Sequence, residues 1–309
     1  MKESIKVFAP ATVANVVCGF DILGFAVNEP GDELLMKSAT KPGVRIISIE
    51  GDEGKLPLDP QKNTVSASVI SLLRHLRRDD VGLEISLTKK MPMGSGLGSS
   101  SASAVAGLFA ANELLGSPLS KMELLPFAME GEALACGHGH ADNVAPALFG
   151  GFTLIKSYEP LEVIALPVPK LFCALLYPHV DVPTRDARQI IRSKVLLKDA
   201  VTQWGNIAGL VSALYTNDYG LLGRSLKDVI VEPIRSILIP EFDYMKAYAM
   251  ENGALGFGIS GSGPTVFSLY HSVDDAQKVL TSLQKHLADK GIKSNIYLSE
   301  INETGPTVI

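Results

Sequence analysis

The alternation and spacing of apolar residues along the chain predict a mixture of strands and helices. Residues 83–88 alternate strictly between apolar and polar side chains, which is typical of a half-buried strand. Asn63 is a good N-cap, and apolar residues recur at helical spacing behind it over residues 65–76. Residues 99–115, rich in alanine and then in leucine, predict a second helix that ends at Gly116.

The remaining elements follow the same two periodicities. Further strands are predicted at residues 5–9, 44–49, 152–155, 171–177, 265–270 and 295–301. Further helices are predicted near residues 120–134, 184–192, 196–216, 219–229, 241–251 and 275–290. Because strands and helices mix without the regular alternation of a doubly wound sheet, the fold class is predicted to be α+β.

A chain of 309 residues is long enough for one large domain or two modest ones. The stretch from residue 157 to residue 169 contains three prolines among short predicted strands. We therefore expect a domain boundary there, which divides the chain into an N-terminal domain of residues 1–160 and a C-terminal domain of residues 161–309.

Composition and charge exclude several classes of protein. The net charge of −5 argues against a dedicated nucleic-acid binder, which usually carries a basic surplus. Three scattered cysteines form neither a disulfide framework nor a CxxC metal motif. The chain contains no apolar run of about 18 residues, so no transmembrane helix is expected. The N-terminus lacks the apolar core of a signal peptide. A soluble cytoplasmic protein is expected.

Three glycines and four serines follow the strand at 83–88 and lead into the alanine-rich helix. Such glycines let the backbone approach a ligand, and free N–H groups at a helix start attract anions. The segment is therefore predicted to bind the phosphates of a nucleotide, although it is not a Walker A motif. The predicted binding residues are Pro92, Met93, Gly94, Ser95, Gly96, Leu97, Gly98, Ser99, Ser100, Ser101 and Ala102. Lys89 and Lys90 precede the segment and are expected to be solvated, the alternative being a contact with the phosphates.

A second glycine cluster occupies residues 256–263. Gly256, Gly258 and Gly261 match the letters of a dinucleotide-binding motif. That motif needs a strand before it and a helix after it, whereas here a helix precedes and a strand follows. We instead expect this cluster, with Gly261, Ser262 and Gly263, to pack beside the bound phosphates.

Several polar residues are candidates for ligand contacts, each with a structural alternative. Asn15 and Asp21 interrupt an apolar run, where turn formation is the simpler interpretation. Glu132 is a candidate oxygen ligand for magnesium. His138 and His140 have the spacing of a metal pair, but no third nitrogen or sulfur ligand is near, so a structural role is expected.

Arginines near the middle of the chain are candidates for binding a carboxylate, because a guanidinium donates two parallel hydrogen bonds. They are Arg185, Arg188 and Arg235. The alternative is that they lie on solvated helix faces, as most arginines do.

Taken together, these segments resemble the GHMP kinase superfamily, whose three motifs match residues 10–21, 92–102 and 258–265 in order. Within the superfamily the chain is most similar to the homoserine kinases. That similarity rests on Asn15 followed by Gly19-Phe20-Asp21, on residues 140–146, and on Ile239-Pro240 after Arg235. Residues 16–18 differ from the residues that the family often has at this point. The difference affects only the expected shape of that loop, because the polar residues on either side of it are present.

The resemblance implies an N-terminal half like domain 2 of ribosomal protein S5 and a ferredoxin-like C-terminal half, with ATP between them. It also implies roles for individual residues. Ser100 and Glu132 would hold Mg²⁺, and Asn15, Asp21 and Asn143 would contact L-homoserine. Thr184, Arg188 and Arg235 would bind the amino-acid end of the substrate, with Arg185 as an alternative to Arg188.

The implied reaction is the phosphorylation of the homoserine hydroxyl in threonine biosynthesis. Phosphoryl transfer has a loose transition state, so positioning and charge neutralisation dominate. Asp142 is the candidate general base, although such a transition state needs little deprotonation of the nucleophile. Two alternatives stay open: a GHMP kinase for a mevalonate- or sugar-type alcohol, and a non-catalytic regulator. The expected partner is a small molecule, and neither a nucleic acid nor a membrane is expected as a partner. A homodimer is an open alternative to a monomer.

Overall fold

The computed structural model describes residues 3–136, 139–182 and 184–309, which form two β-sheets and a set of helices. The strands are β1 (Ser4–Ala14), β2 (Leu23–Ala39), β3 (Gly43–Glu50), β4 (Gly82–Thr88), β5 (Phe152–Tyr158), β6 (Leu161–Leu166), β7 (Phe172–Pro178), β8 (Gly256–Ile259), β9 (Val266–Tyr270), β10 (Ser294–Glu300) and β11 (Thr307–Val308). The helices are α1 (Thr64–His75), α2 (Ser99–Leu114), α3 (Lys121–Cys136), α4 (Ala141–Phe149), α5 (Thr184–Gln189), α6 (Leu197–Thr216), α7 (Tyr219–Ser225), α8 (Glu232–Arg235), α9 (Phe242–Glu251) and α10 (Val273–Asp289). None of the helices in these ranges is both long and apolar enough to cross a membrane.

The first sheet carries the strand order β11-β1-β2-β4-β3, and a hairpin of β5 and β6 extends from β2. Its strand pairs are antiparallel except β3 and β4, which are parallel. Helix α2 packs on β1 and β2 and is flanked by α1, α3 and α4. Most residues of α2 are alanine, serine or glycine, so the helix is buried on nearly every side. This burial fixes the start of α2 relative to the sheet.

The second sheet is antiparallel with the order β10-β7-β9-β8. Helices α9 and α10 pack on it and share a separate core that includes Phe257 and Tyr270. Helix α10 is amphipathic, and its buried residues recur at helical spacing: Ala276, Val279, Leu280, Leu283 and Leu287. This half has the ferredoxin-like character that the sequence predicts.

The two sheets share one apolar interior. Phe25 of β2 contacts Phe152 of β5 and Phe267 of β9, with ring centroids 4.8 and 5.7 Å apart. Strand β11 returns to pair with β1, and Ile301 forms a bridge with Val27. The chain therefore ends in the first sheet after completing the second one.

The predicted boundary between residues 160 and 161 falls inside the β5–β6 hairpin. Leu154 pairs with Ile164, and Tyr158 pairs with Leu161 across it. The first sheet thus continues to Leu166, and the second begins at Phe172.

Most predicted elements are present within a few residues of their predicted ends. Some elements were not predicted, and three of them show why local sequence patterns miss an element. Strand β2 contains Pro30 and Gly31, which interrupt its alternation. Helix α4 is short and contains Pro146, and β8 is half glycine. Their neighbours stabilise these elements against weak local preference.

Candidate functional site

A cavity of about 430 Å³ lies between the two halves of the molecule. Most predicted site residues line it: Asn15, Asp21, Met93, Gly94, Ser95, Gly96, Gly98, Ser99, Ser100, Glu132, Asp142, Asn143, Arg188, Arg235, Gly261 and Ser262. Segments far apart in the chain therefore meet at one place. This convergence indicates a ligand site with a glycine- and serine-rich end and a charged end.

Some predicted residues do not line this cavity. Leu97, Ser101 and Ala102 are completely buried. Pro92 and Gly263 also lie outside the lining. The side chains of Thr184 and Arg185, and the whole of His138, lie outside the described residues.

The first glycine segment (residues 92–98) owes its shape to three glycines in the left-handed region. Gly94, Gly96 and Gly98 have φ values of 67, 82 and 65°. A Cβ on Gly96 would lie 2.4 Å from the Ser260 carbonyl oxygen, and one on Gly98 would lie 2.0 Å from Thr12 Oγ1. Only glycine satisfies both the backbone angle and the close approach at these two positions.

The second glycine segment (residues 256–263) packs against the first one. Ser260 Oγ donates to the Gly96 carbonyl at 2.7 Å, and the amide of Thr265 donates to the Ser95 carbonyl at 3.1 Å. The Asn15 side chain donates to the Gly261 carbonyl at 2.8 Å. Gly261 and Ser262 of this cluster line the cavity. A strand rather than a helix follows the cluster, as the sequence predicts.

The start of α2 presents hydroxyl groups to the cavity. The Oγ atoms of Ser95 and Ser99 are buried and have no hydrogen-bond partner among the described residues. Ser100 Oγ donates to Glu132 Oε1 at 3.0 Å, and Glu132 is only 4% exposed. A hydroxyl and a carboxylate at this distance form an oxygen donor pair of the kind that Mg²⁺ prefers.

Asp21 is held at the opposite end by contacts from several elements. Asn15 Oδ1 accepts from its amide at 3.0 Å, and Tyr158 OH donates to its carbonyl at 2.9 Å. Arg188 donates to both carboxylate oxygens, at 3.2 and 2.6 Å. His140 Nδ1 lies 3.9 Å from Asp21 Oδ1. Arg188 thus faces the cavity from α5.

Arg235 is buried beside this cluster, so it does not lie on a solvated helix face. Its Nε donates to the Ala187 carbonyl at 2.9 Å, and its Nη1 donates to the Gly261 carbonyl at 3.1 Å. The guanidinium lies over the Phe20 ring, 5.0 Å from its centroid. Burial lowers the pKa of Arg235, which the negative charge of Asp21 partly offsets. A rigid cation at this position can bind a ligand carboxylate.

Asp142 lies between the two ends, in the first turn of α4. Asp142 is 3% exposed, and its Oδ1 atom has no hydrogen-bond partner in the described part of the chain. Burial, together with the nearby charges of Asp21 and Glu132, raises the pKa of Asp142 to about 7. The neighbouring Asn143 accepts a hydrogen bond from Thr12 at 2.7 Å. A carboxyl with a pKa near neutrality can accept a proton at physiological pH.

Lys89 is not a solvated lysine, contrary to expectation. Its side chain is 2% exposed and forms an ion pair with Asp32, whose side chain is fully buried. Lys90 is half-exposed and pairs with Glu33, as expected for a solvated residue. The sequence carried one signal of this burial, since Lys89 continues the alternation of β4 on its apolar, buried side. Its partner Asp32 lies in a strand that the sequence did not predict.

The segment before α1 forms a further side of the cavity that the sequence did not assign to the site. Leu56, Pro57, Lys62, Asn63 and Thr64 line it. Asn63 caps α1, since its side chain accepts from the Val65 amide at 3.1 Å. The sequence therefore predicted the start of α1 correctly. Only the fold shows that this helix start lies at the cavity.

Comparison with known proteins gives two family matches. Residues 63–151 match the GHMP kinases N terminal domain, and residues 210–289 match the GHMP kinases C terminal domain. A homoserine kinase from Chlorobium phaeovibrioides is 49% identical over 99% of this chain and 100% of that protein.

Solved structures agree with the fold. The crystal structure of a homoserine kinase from Cytophaga hutchinsonii superposes with a TM-score of 0.97 at 57% identity, covering 100% of this chain and 98% of that one. An L. major mevalonate kinase solved with R-mevalonate has a TM-score of 0.75 at 16% identity, covering 98% of both chains. The second likeness concerns the fold alone.

Proposed function

Because the chain belongs to the homoserine kinases of the GHMP kinase family, we propose that it transfers the γ-phosphoryl group of ATP to the hydroxyl of L-homoserine. The products are ADP and O-phospho-L-homoserine, an intermediate of threonine synthesis. The observation that carries the proposal is the meeting of the first glycine segment with Asp21, Arg188 and Arg235 in one cavity. Cytoplasmic location stays a prediction from the sequence, and a homodimer stays an open alternative to a monomer.

The first glycine segment and the start of α2 would bind the triphosphate. Backbone N–H groups at a helix N-terminus attract anions because they are not used inside the helix. The buried hydroxyls of Ser95 and Ser99 supply further donors, since neither has another partner among the described residues. Ser262 of the second glycine segment faces the same space.

Ser100 and Glu132 would hold Mg²⁺. The donor set fits this ion, since both groups offer oxygen and the remaining positions suit phosphate oxygens and water. When bound, the ion would neutralise charge on the β- and γ-phosphates. The hydrogen bond from Ser100 keeps the Glu132 carboxylate at the side of the cavity where the phosphates would lie.

The charged cluster at the other end would select an amino acid. Arg235 and Arg188 suit the carboxylate of homoserine, and the carboxylate of Asp21 suits its ammonium group. Asn15 and Asn143 add amide groups that orient the bound zwitterion. Thr184 begins α5 next to this end, and we keep it as a proposed contact.

Asp142 lines the same cavity, and the proposal has the homoserine hydroxyl meet the γ-phosphate beside it. We assign it the role of general base, since a pKa of about 7 allows it to take the hydroxyl proton as the phosphoryl group transfers. Its burial excludes water, which limits hydrolysis of ATP in the absence of the acceptor.

A coupled assay of ADP release tests the proposal. Purified protein is given ATP and MgCl₂ with L-homoserine, mevalonate or galactose in parallel. We expect turnover with L-homoserine only, because neither of the other alcohols carries an ammonium group for Asp21. Turnover with mevalonate or galactose at a comparable kcat/KM would contradict the assignment of the substrate. ADP binding without turnover on any of the three would favour a regulator.

A further inference from the structure

A buried ion pair lies beneath the start of α2, outside the set of residues that the proposed reaction uses. Lys89 follows β4 and Asp32 belongs to β2, and their side chains are 2% and 0% exposed. The Lys89 ammonium donates to the Asp32 carboxylate, to the Ser99 carbonyl at 2.8 Å and to Ser103 Oγ at 2.7 Å. The pair thus connects the first sheet to the first turn of α2.

Asp32 also fixes the entry to the first glycine segment. Its Oδ1 accepts from the amide of Lys90 at 2.9 Å and from the amide of Met91 at 3.2 Å. These two residues lead directly into Pro92 and the glycines. One carboxylate therefore sets both ends of the segment, through backbone amides on one side and through the Lys89 ammonium on the other.

The bonding of Lys89 indicates that it acts through its neighbours. An ammonium group has three donors and no acceptor, and all three donors are used within the protein. Lys89 borders the cavity, but a direct bond to a ligand would require one of these contacts to break. Asp32 does not line the cavity. Removing two charges from water is costly, so an apolar pair would fill the same space at lower cost if packing were the only purpose.

We propose that the Lys89–Asp32 pair is a positioning device for nucleotide binding: it holds the first glycine segment and the Ser99 end of α2 in the conformation that receives the phosphates. The inference rests on the proposed function only in taking a nucleotide as the ligand. It does not depend on which alcohol accepts the phosphoryl group. Because both side chains act through backbone groups, loss of either one should weaken nucleotide binding to a similar extent.

The test measures the affinity for ADP by calorimetry, with and without MgCl₂ and without any acceptor. The variants are Lys89→Met, Asp32→Asn and the double variant, in which neither charge remains buried alone. Lys90→Met is the matched control, since that neighbouring lysine is half-exposed and pairs with Glu33 at the surface. Circular dichroism and thermal melting establish that each variant is folded. Steady-state kinetics then separate the KM for ATP from the KM for L-homoserine.

We expect both single variants and the double variant to weaken ADP binding by about tenfold or more, since misplaced groups at a binding site cost this much or more. The KM for ATP should rise in parallel, while the KM for L-homoserine changes less than about twofold. Lys90→Met should match the wild type.

Two results would overturn the proposal. A folded double variant with wild-type ADP affinity would reduce the pair to a structural role. Weakened binding in Lys89→Met but not in Asp32→Asn would make Lys89 a direct ligand of the nucleotide. Neither result bears on the acceptor, whereas wild-type protein that binds ADP but does not turn over L-homoserine would refute the proposed function and leave this inference standing.

Discussion

At the scale of single residues, the site buries ionisable groups at positions that lower the stability of the protein when no ligand is bound. Asp142 is buried without a partner for one of its oxygens, and Arg235 is buried beside Phe20. Surface positions would hydrate both charges at no cost. Strained or desolvated groups of this kind are typical of binding and catalytic sites, because the ligand supplies the missing partner.

Asp142→Asn should increase stability in a pH-dependent way. The folded pKa of about 7 lies above the ordinary value for aspartate, so the folded state binds more protons than the unfolded state between pH 4 and 7. The free energy of unfolding contributed by Asp142 therefore falls as pH rises through this range and stays low above it. Thermal melting should show a larger gain in Tm for Asp142→Asn at pH 8 than at pH 4. An equal gain at both pH values would contradict the raised pKa.

The same residue controls the predicted pH profile of activity. If Asp142 accepts the hydroxyl proton, kcat/KM of the wild type should decrease as pH falls through about 7. Asp142→Asn should lower kcat by about a hundredfold or more and remove that limb of the profile. A variant that keeps both the rate and the profile would show that transfer proceeds without this base.

Arg235→Ala tests the amino-acid end. The change removes a buried cation, so the KM for L-homoserine should rise about tenfold or more while the KM for ATP changes little. Arg224→Ala is the control, because Arg224 is exposed on α7. Equal changes in both KM values would indicate that Arg235 acts through the Gly261 carbonyl and supports the second glycine segment instead.

At the scale of elements, the site is built from the ends of helices and strands. Helix α2 begins at the first glycine segment, and α1 begins at another side of the same cavity. Helix α4 begins at Ala141 and carries Asp142 and Asn143 in its first turn, and α5 carries Arg188. Free N–H groups at these helix starts create a positive environment that suits phosphate groups. The division into domains at residue 160 stays a prediction, and that position lies within the β5–β6 hairpin.

Gly96→Ala and Gly94→Ala compare two strained positions in the first glycine segment. Both residues have positive φ, so alanine costs about 1 kcal/mol at each. A Cβ at position 96 also meets the carbonyl oxygens of Ser260 and Gly263 at 2.4 and 2.8 Å, whereas a Cβ at position 94 meets nothing within 4 Å. We expect Gly96→Ala to lower Tm and raise the KM for ATP more than Gly94→Ala. Similar effects of both changes would mean that contact with the second glycine segment is unimportant.

At the scale of the whole molecule, each half supplies part of the cavity. The first half contributes the glycine segment, Glu132 and Asp142, and the second half contributes Arg188, Arg235 and the second glycine segment. The end of the chain returns to the first sheet through β11, which joins the halves a second time. A change that weakens this return of the chain to the first sheet should lower the free energy of unfolding more than it lowers the catalytic rate.

Asn302→Ala tests the return of the chain. Asn302 is 5% exposed, accepts from the amides of Thr304 and Gly305, and donates to Asn28 at 3.1 Å. Loss of these bonds should lower the free energy of unfolding by about 1–3 kcal/mol in urea denaturation. The exposed neighbour Glu303 provides the control, and Glu303→Ala should leave the midpoint unchanged. An unaltered midpoint for Asn302→Ala would show that this turn carries little of the stability.

The sequence by itself determined the fold class and most elements, and it predicts which segment binds phosphate. These features depend on local patterns: alternation for β4, helical spacing for α10, and a run of glycines between a strand and a helix at residues 94–98. Motif order along the chain was enough for the family, because three separated segments match together.

Only the tertiary structure decided which side chains meet. Whether Lys89 is solvated depends on Asp32, 57 positions away and in a strand that local pattern does not reveal. That Arg188 contacts Asp21, at a sequence separation of 167, depends on how α5 packs. The pKa of Asp142 depends on its burial and on the charge of Asp21, which lies far earlier in the chain. Burial and long-range contact are properties of the folded chain, so no local sequence pattern contains them.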